Sequence, residues 1–337
     1  MDSLTQAVFG ATVAAVVAPR GHRRKALLLG AALGTLPDLD VVIDYGDAVS
    51  NFTKHRGFSH SLFVLPPVSV LLWLLLRRWW APAREAPMRW LAVVLLALVT
   101  HPLLDAHTAY GTQIFWPLPS PPVSWATIFI IDPLFTLPLI VGCLFAAIVP
   151  RRESAGTVLK ACLLLSIGYL GWTWVAQGLV EREAREALAA RGLGNAPMFA
   201  TPTPFNTVLW RIVVLTDDGY LEGFDSLLVD EHPLQLRFYP SDVASLDAAS
   251  HVPAVPRLRW FARGFIKGHV ADDRLVVSDL RMGYEPTYVF SHVVAERGNP
   301  HWIAVPPELL EVSYRDRSRV EAALSETWRR IWSDAGD

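Results

Sequence analysis

Apolar residues gather in the first half of this chain in six blocks, roughly Leu4–Ala18, Ala26–Ile43, Leu62–Leu76, Trp90–Leu104, Ile128–Val149 and Val158–Ala176. At about 1.5 Å per helical residue, the last two are long enough to cross about 30 Å of hydrocarbon. The first four, 15 to 18 residues long, predict shortened membrane helices around a thinned or water-filled site. From about residue 178 the pattern changes. "EREAREALAARG" reads as a polar helix ending at a glycine, and "NAPMFATPTPFN" as a proline-rich connector. Strand-like runs follow in "TVLWRIVVL", "YLEGFDSLLV", "LQLRFYP", "RLVVSDLRMG" and "TYVFSHVVAE". "PRLRWFARGFIKG" predicts a helix over 256–268 with Arg259, Arg263 and Lys267 on one face, and residues 316–332 predict a closing helix. The expected architecture is an α-helical integral membrane domain of about six membrane helices, 1–177. A soluble α+β domain with an antiparallel sheet, 178–337, follows it.

Composition agrees with that division. Of 337 residues 52% are hydrophobic and only 18% charged, against about 25% charged in a typical soluble domain. A formal net charge of −2 gives no footprint for nucleic acid. Cys143 and Cys162 both lie in apolar runs, so the soluble part has neither disulfides nor a cysteine-based zinc site. The start "MDSLTQAVFGATVAAVVA" is acidic and lacks a basic region, which predicts a first membrane segment rather than a cleaved signal.

Loop charge predicts the orientation. Arg20, Arg23, Arg24 and Lys25 follow the first block, Arg77, Arg78, Arg84 and Arg89 the third, and Arg151, Arg152 and Lys160 flank the sixth. The alternate loops hold only Lys54 and Arg56. Basic loops stay on the cytoplasmic side, so the N-terminus and the C-terminal domain are expected to be extracytoplasmic, in a multi-pass protein of a bacterial inner membrane.

Polar residues within or beside membrane helices cost several kcal/mol unless paired or coordinated. Four clusters stand out: Asp38 and Asp40 in "PDLD", His55, Arg56 and His60 in "HRGFSHS", His101, Asp105 and His107 in "THPLLDAH", and Asp132 in "IIDP". With the orientation above, all four lie at the outer face, although the orientation rests on Lys and Arg alone. Asp38 and Asp40 share a face if their segment is extended, His101 and Asp105 if theirs is helical. Gly57 allows a sharp turn between the histidines, and Ser59 is placed to cap the third helix. Such a mixed nitrogen and oxygen set suits zinc first, with manganese or iron also fitting, as one or two divalent ions. Each element also has a plain alternative: an interfacial histidine, a solvated turn, a structural His–Asp pair, a headgroup anchor at Arg56, a helix cap at Asp132. Five tail histidines, His232, His251, His269, His292 and His301, show no ligand spacing.

Together "MDSLTQAVFGA", "GTLPDLD", "HRGFSHSL", "HPLLDAHTAYGTQ" and "IIDPLFTLPL" resemble the LexA-regulated, inner-membrane metal-dependent hydrolase family (YdjM-like), in its longer members with a C-terminal soluble domain. The likeness covers about residues 1–150. It implies a metal-dependent hydrolase with Asp38, Asp40, His55, His60, His101 and Asp105 as metal ligands. Gln6 stands where many members carry His, and His107 is not a shared position. On this reading the substrate is a lipid or lipid-linked phosphoester or other ester, Asp40 or Asp132 accepts the proton of an activated water, and Arg56 binds an anionic oxygen. The basic helix 256–268 would rest on anionic headgroups or be an ordinary solvated helix. Two other classes remain open. One is an ion or metal transporter, and the other a membrane-anchored periplasmic binding or scaffold module with a structural metal.

Overall fold

The computed structural model describes residues 1–229, 234–310 and 317–333. In chain order its helices are α1 (Ser3–Val17), α2 (Arg23–Thr35), α3 (Ala48–Lys54), α4 (Leu65–Trp79), α5 (Ala81–Glu85), α6 (Pro87–Asp105), α7 (Pro133–Ile148), α8 (Glu153–Ala190), α9 (Val243–Ala248), α10 (Ala254–Phe261) and α11 (Arg317–Trp332). The chain forms two units. One comprises 1–43, 56–125 and 130–173, the other 44–55, 126–129 and 174–337.

The first unit is helical, and each of the six apolar blocks contributes a helix to it. Where six spans are expected, two helices among the described residues, α6 and α8, are long and apolar enough to cross a membrane. A bent pair, Ala48–His60 with Leu65–Trp79, adds a third if counted as one span, while α1 and α7 are apolar but shorter. The second block falls short because α2 stops at Thr35 and the chain tightens into a 3₁₀ turn, Pro37–Val42, with proline at its first position. The ring removes a donor that a continuing α-helix would need.

Glycines bring α1 and α2 together. A Cβ on Gly10 would stand 2.4 Å from the Gly30 carbonyl oxygen, and one on Gly34 would stand 2.5 Å from that of Gln6. Only glycine permits so close a backbone approach, as in small-residue packing between membrane helices. Below this contact Ala11, Ala14, Ala15, Ala26, Trp90 and Leu159 form a buried core.

The helix ends sort by charge. At one end Arg23 donates to the carbonyls of Pro150 and Arg152, and Arg24 to that of Ala147, so two of the counted basic residues cap the end of α7. Lys25 lies over the Trp80 ring in the same region. The opposite ends of α1, α2, α6 and α7 carry Gln6, Asp38, His101 with Asp105, and Asp132.

The second unit holds two four-stranded antiparallel sheets. The first is a meander of β1 (Met198–Pro202), β2 (Leu209–Thr216), β3 (Gly219–Ser226) and β4 (Arg237–Pro240). The second takes β5 (Ile266–Ala271), β6 (Arg274–Asp279), β9 (Ser291–Glu296) and β10 (Ile303–Leu309), ordered β10-β9-β6-β5, and a small ribbon pairs β7 (Gly283–Tyr284) with β8 (Thr287–Tyr288). The polar half of α8 is held by its apolar stripe: Ala176, Val180, Ala184 and Leu188, each four residues on, pack with Trp210, Ile212 and Val214 of β2. On the other face of β2, buried Arg211 pairs with Glu222 and donates to the Leu280 carbonyl.

Two expectations are corrected here. The helix expected over 256–268 ends at Phe261. Arg263 and Gly264 both take positive φ (54° and 89°), and the chain then enters β5. That turn takes Lys267 out of the basic stripe and onto a strand, where it pairs with Glu285. Segment 44–55, whose last residue His55 is expected at the site, folds with the second unit: Phe52 packs edge-on against Phe261 and stacks on Phe290, and Arg257 donates to the Thr53 hydroxyl and carbonyl. His232 lies outside the described residues, as does residue 316 of the closing helix.

His292 in β9 is 1% exposed and packs on Phe52, with Asp47 and Asp279 the nearby charges. Burial pushes its imidazole down from 6.5 to about 4, against the opposing pull of the two carboxylates. The folded state therefore holds it neutral while the unfolded chain protonates it below pH 6.5. Stability is full above that pH and falls as pH drops toward 4, by about 3 kcal/mol in all. Thermal unfolding of the full chain in detergent is expected to show this slope, and His292→Gln to flatten it. An unchanged slope in the variant rules the assignment out.

Candidate metal centre

Three segments, one following α2, one preceding α4 and one closing α6, bring Asp38, His60, His101 and Asp105 together, each offering a ligand atom within 4.8 Å of the others. His60 Nε2 is 3.3 Å from both Asp38 Oδ1 and Asp105 Oδ2. His101 Nε2 is 3.4 Å from Asp38 Oδ1, 3.5 Å from Asp105 Oδ2 and 3.0 Å from His60 Nε2. A tetrahedral ion bound at about 2.0–2.1 Å separates its donors by about 3.3–3.4 Å, so the spacing fits zinc with nitrogen and carboxylate ligands.

The hydrogen bonds behind the histidines decide their tautomers. His101 Nδ1 lies 2.5 Å from the carbonyl oxygen of Gly34, which can only accept, so Nδ1 carries a proton and in the neutral ring Nε2 is the nitrogen that can ligate. The glycine contact between α1 and α2 leaves that carbonyl within reach. Ser59 Oγ donates to Asp40 Oδ2 at 2.6 Å, leaving its lone pair for His60 Nδ1–H at 2.9 Å, so in the neutral ring His60 Nε2 is likewise the nitrogen that can ligate. Asp38 Oδ1 and Asp105 Oδ2 are buried without a hydrogen-bond partner. With both rings neutral, the four ligand atoms that face one another are all acceptors. Such a set is strongly unfavourable unless a cation occupies its centre.

Asp105 is held from behind by Gln6 Nε2, 2.9 Å from Oδ1, and by the Met1 amino group on the same oxygen, while Arg56 Nε lies 3.2 Å from Oδ2, the oxygen that faces the cluster. Arg56 is itself 4% exposed, donates through Nη1 to Thr108 Oγ1 and lies 4.9 Å from the Tyr110 ring. Its φ is +59°, so the sharp turn expected at Gly57 falls on the arginine. That geometry also aims the Arg56 N–H at Asp40 Oδ2.

The other expected site residues are placed as follows. Asp40 does not join the four: on a 3₁₀ turn, residues two apart diverge rather than share a face, and its carboxylate takes the Arg56 N–H and the Ser59 hydroxyl. His55 ends α3 in the segment that folds with the second unit and is likewise outside the four. Asp132 caps α7, accepting from Leu134 and Phe135 N–H groups and from the Tyr169 hydroxyl. His107 donates to the Leu103 carbonyl and packs edge-on against Trp125. Ser59, expected as a helix cap, instead links Asp40 to His60, because α4 begins only at Leu65. The supporting roles of Gln6 and of the Gly34 carbonyl have one trace in the sequence, the Gly30-xxx-Gly34 spacing that predicts a close helix partner.

Among curated relatives, the uncharacterized protein YfhP of Bacillus subtilis (strain 168) is 26% identical over 230 residues, 66% of this chain and 68% of that protein. The inner membrane protein YbcI of Escherichia coli (strain K12) is 37% identical over 94 residues, 27% of this chain and 51% of that protein, so the chain spans about half of its length. No solved structure matches. The sequence pattern of the YdjM inner membrane protein family matches residues 1–180. That stretch contains all four converging side chains, the whole of α6 and most of α8, and the chain belongs to the YdjM inner membrane protein family.

Proposed function

We propose that this protein is a membrane-embedded metal-dependent hydrolase that cleaves a phosphoester or other ester in a lipid or lipid-linked substrate. The observation that carries the reading is the convergence of two carboxylate oxygens and two histidine Nε2 atoms, each ring held by a hydrogen bond at its Nδ1. Zinc suits the donors best, held by Asp38, His60, His101 and Asp105. When bound, such an ion supplies Lewis acidity and lowers the pKa of water toward neutrality. The protein's own part is to fix the donors: Gly34 and Ser59 set the histidine tautomers, Asp40 anchors Ser59, and Arg56 and Gln6 hold Asp105. Asp40 and Asp132, expected to take a proton, are engaged in holding Ser59 and capping α7, and Arg56 is engaged with Asp105. The site lies at the helix ends away from the basic cluster, which by the positive-inside rule is the outer face of the inner membrane, with the C-terminal unit extracytoplasmic. Headgroup depth favours a lipid substrate.

A second reading has one observation in its favour. Four protein donors make a closed set, as in structural zinc sites, which suits an anchored binding or scaffold module. Purified protein is expected to hold about one zinc per chain and to release a water-soluble product from vesicles of inner-membrane phospholipid, with release stopped by a chelator. Stoichiometric zinc without any lipid-derived product, in vitro or in lipid profiles of cells lacking the protein, favours the structural reading. Absence of metal defeats both.

A further inference from the structure

The four donors are not held alike. His60, His101 and Asp105 have side chains 0% exposed. Each is fixed by a group outside the four: Ser59 for His60, the Gly34 carbonyl for His101, and Gln6 on Oδ1 with Arg56 beside Oδ2 for Asp105. Asp38 differs on both counts. Its side chain is 20% exposed, and its close polar contacts run to His60 and His101, the residues with which it would share the ion. It sits on the short 3₁₀ turn Pro37–Val42, whose Val41 and Val42 are 69% and 80% exposed.

The energetic consequence follows from burial. Freeing Asp105 from an ion would strand a carboxylate in a sealed, low-dielectric space, whereas freeing Asp38 turns a partly exposed carboxylate toward solvent. Supporting hydrogen bonds also raise ligand basicity and fix direction, and three donors have them. We infer that His60, His101 and Asp105 hold the ion, and that Asp38 is an exchangeable ligand which yields its position to an oxygen of water or of an anionic substrate. This rests on the metal reading above and removes the objection that a closed set cannot serve hydrolysis, since catalytic zinc sites keep three protein ligands and one open position.

The test compares metal content and the visible spectrum of the cobalt-substituted full-length protein. Asp38→Ala and Asp38→Asn are expected to retain about one equivalent of zinc with affinity lowered about 10- to 100-fold, while His60→Ala retains none. In the wild-type cobalt form, acetate or inorganic phosphate is expected to shift the d–d bands by taking the place of Asp38, and in Asp38→Ala the bands are already shifted before any anion is added. The wild-type titration needs no variant to fold. The inference is overturned if Asp38→Ala loses metal as completely as His60→Ala, or if neither anion moves the wild-type bands. If His60→Ala binds metal as the wild type does, the metal reading itself fails, which is a different result.

Discussion

In His101→Ala, zinc is expected to lose its power to stabilise the protein. At free zinc about 1,000 times its dissociation constant, a site present only in the folded state adds about 4 kcal/mol to wild-type stability. His101 supplies one of the four donors, and its Nε2 is the atom 3.0 Å from His60 Nε2. Removing it leaves three donors and a void at the end of α6, so the thermal midpoint of the variant should not respond to zinc. The same geometry predicts a second, less obvious result. Without metal, His101 adds no ligand bond to the wild type, and the advantage that zinc gives it over the variant is absent. In chelator the two proteins are therefore expected to melt closer together than in zinc. Midpoints measured in detergent with zinc and with chelator decide the matter. A variant whose midpoint rises with zinc as the wild type's does would remove His101 from the ligand set.

The chemistry of this site was legible because charged groups beside membrane helices have few inexpensive explanations. His60, His101, Asp105 and Asp38 could each be singled out for that reason, and the spacing of His101 and Asp105 on one helical face is borne out at 3.5 Å. Asp40 and His55 were harder to place. Their placement depends on backbone geometry that residue type does not announce: the 3₁₀ turn after Thr35 separates Asp40 from Asp38, and α3 docks with the C-terminal strands through Phe52, carrying His55 in that segment. The helix expected over 256–268 was misjudged for a related reason. Its basic residues recur at helical spacing, but the positive φ at Arg263 and Gly264 is a tertiary choice that breaks the pattern. Supporting residues such as Gln6 and Ser59 are polar in ordinary ways, and only the atoms they touch reveal their part.

Arg56 gives the sharpest separation between side-chain and backbone contributions. Its backbone N–H bonds Asp40 and its carbonyl accepts from Gln113, and neither bond needs the side chain in the lysine, glycine or alanine variant. Its guanidinium lies 3.2 Å from Asp105 Oδ2 and is 5% exposed, so deletion removes one of the two cations beside a buried carboxylate and leaves the Met1 amino group on the other oxygen. Breaking such a pair from one side costs about 3–5 kcal/mol, and loss of a group that supports a ligand lowers metal affinity about 10- to 100-fold. The φ of +59° adds a second effect, since a non-glycine residue there carries about 1–2 kcal/mol of strain. Arg56→Gly should therefore be about 1 kcal/mol less damaging than Arg56→Ala although it removes more atoms. Arg56→Lys should lie nearer the wild type, keeping the charge but losing the fork that reaches Thr108 as well as Asp105. The expected order in thermal stability and in zinc affinity is wild type, Lys, Gly, Ala. Were Arg56 instead a contact for substrate anions, all three variants would keep wild-type stability and zinc affinity and lose only turnover. The glycine–alanine pair settles the point, because a substrate contact is lost equally in both, while the strained turn distinguishes them.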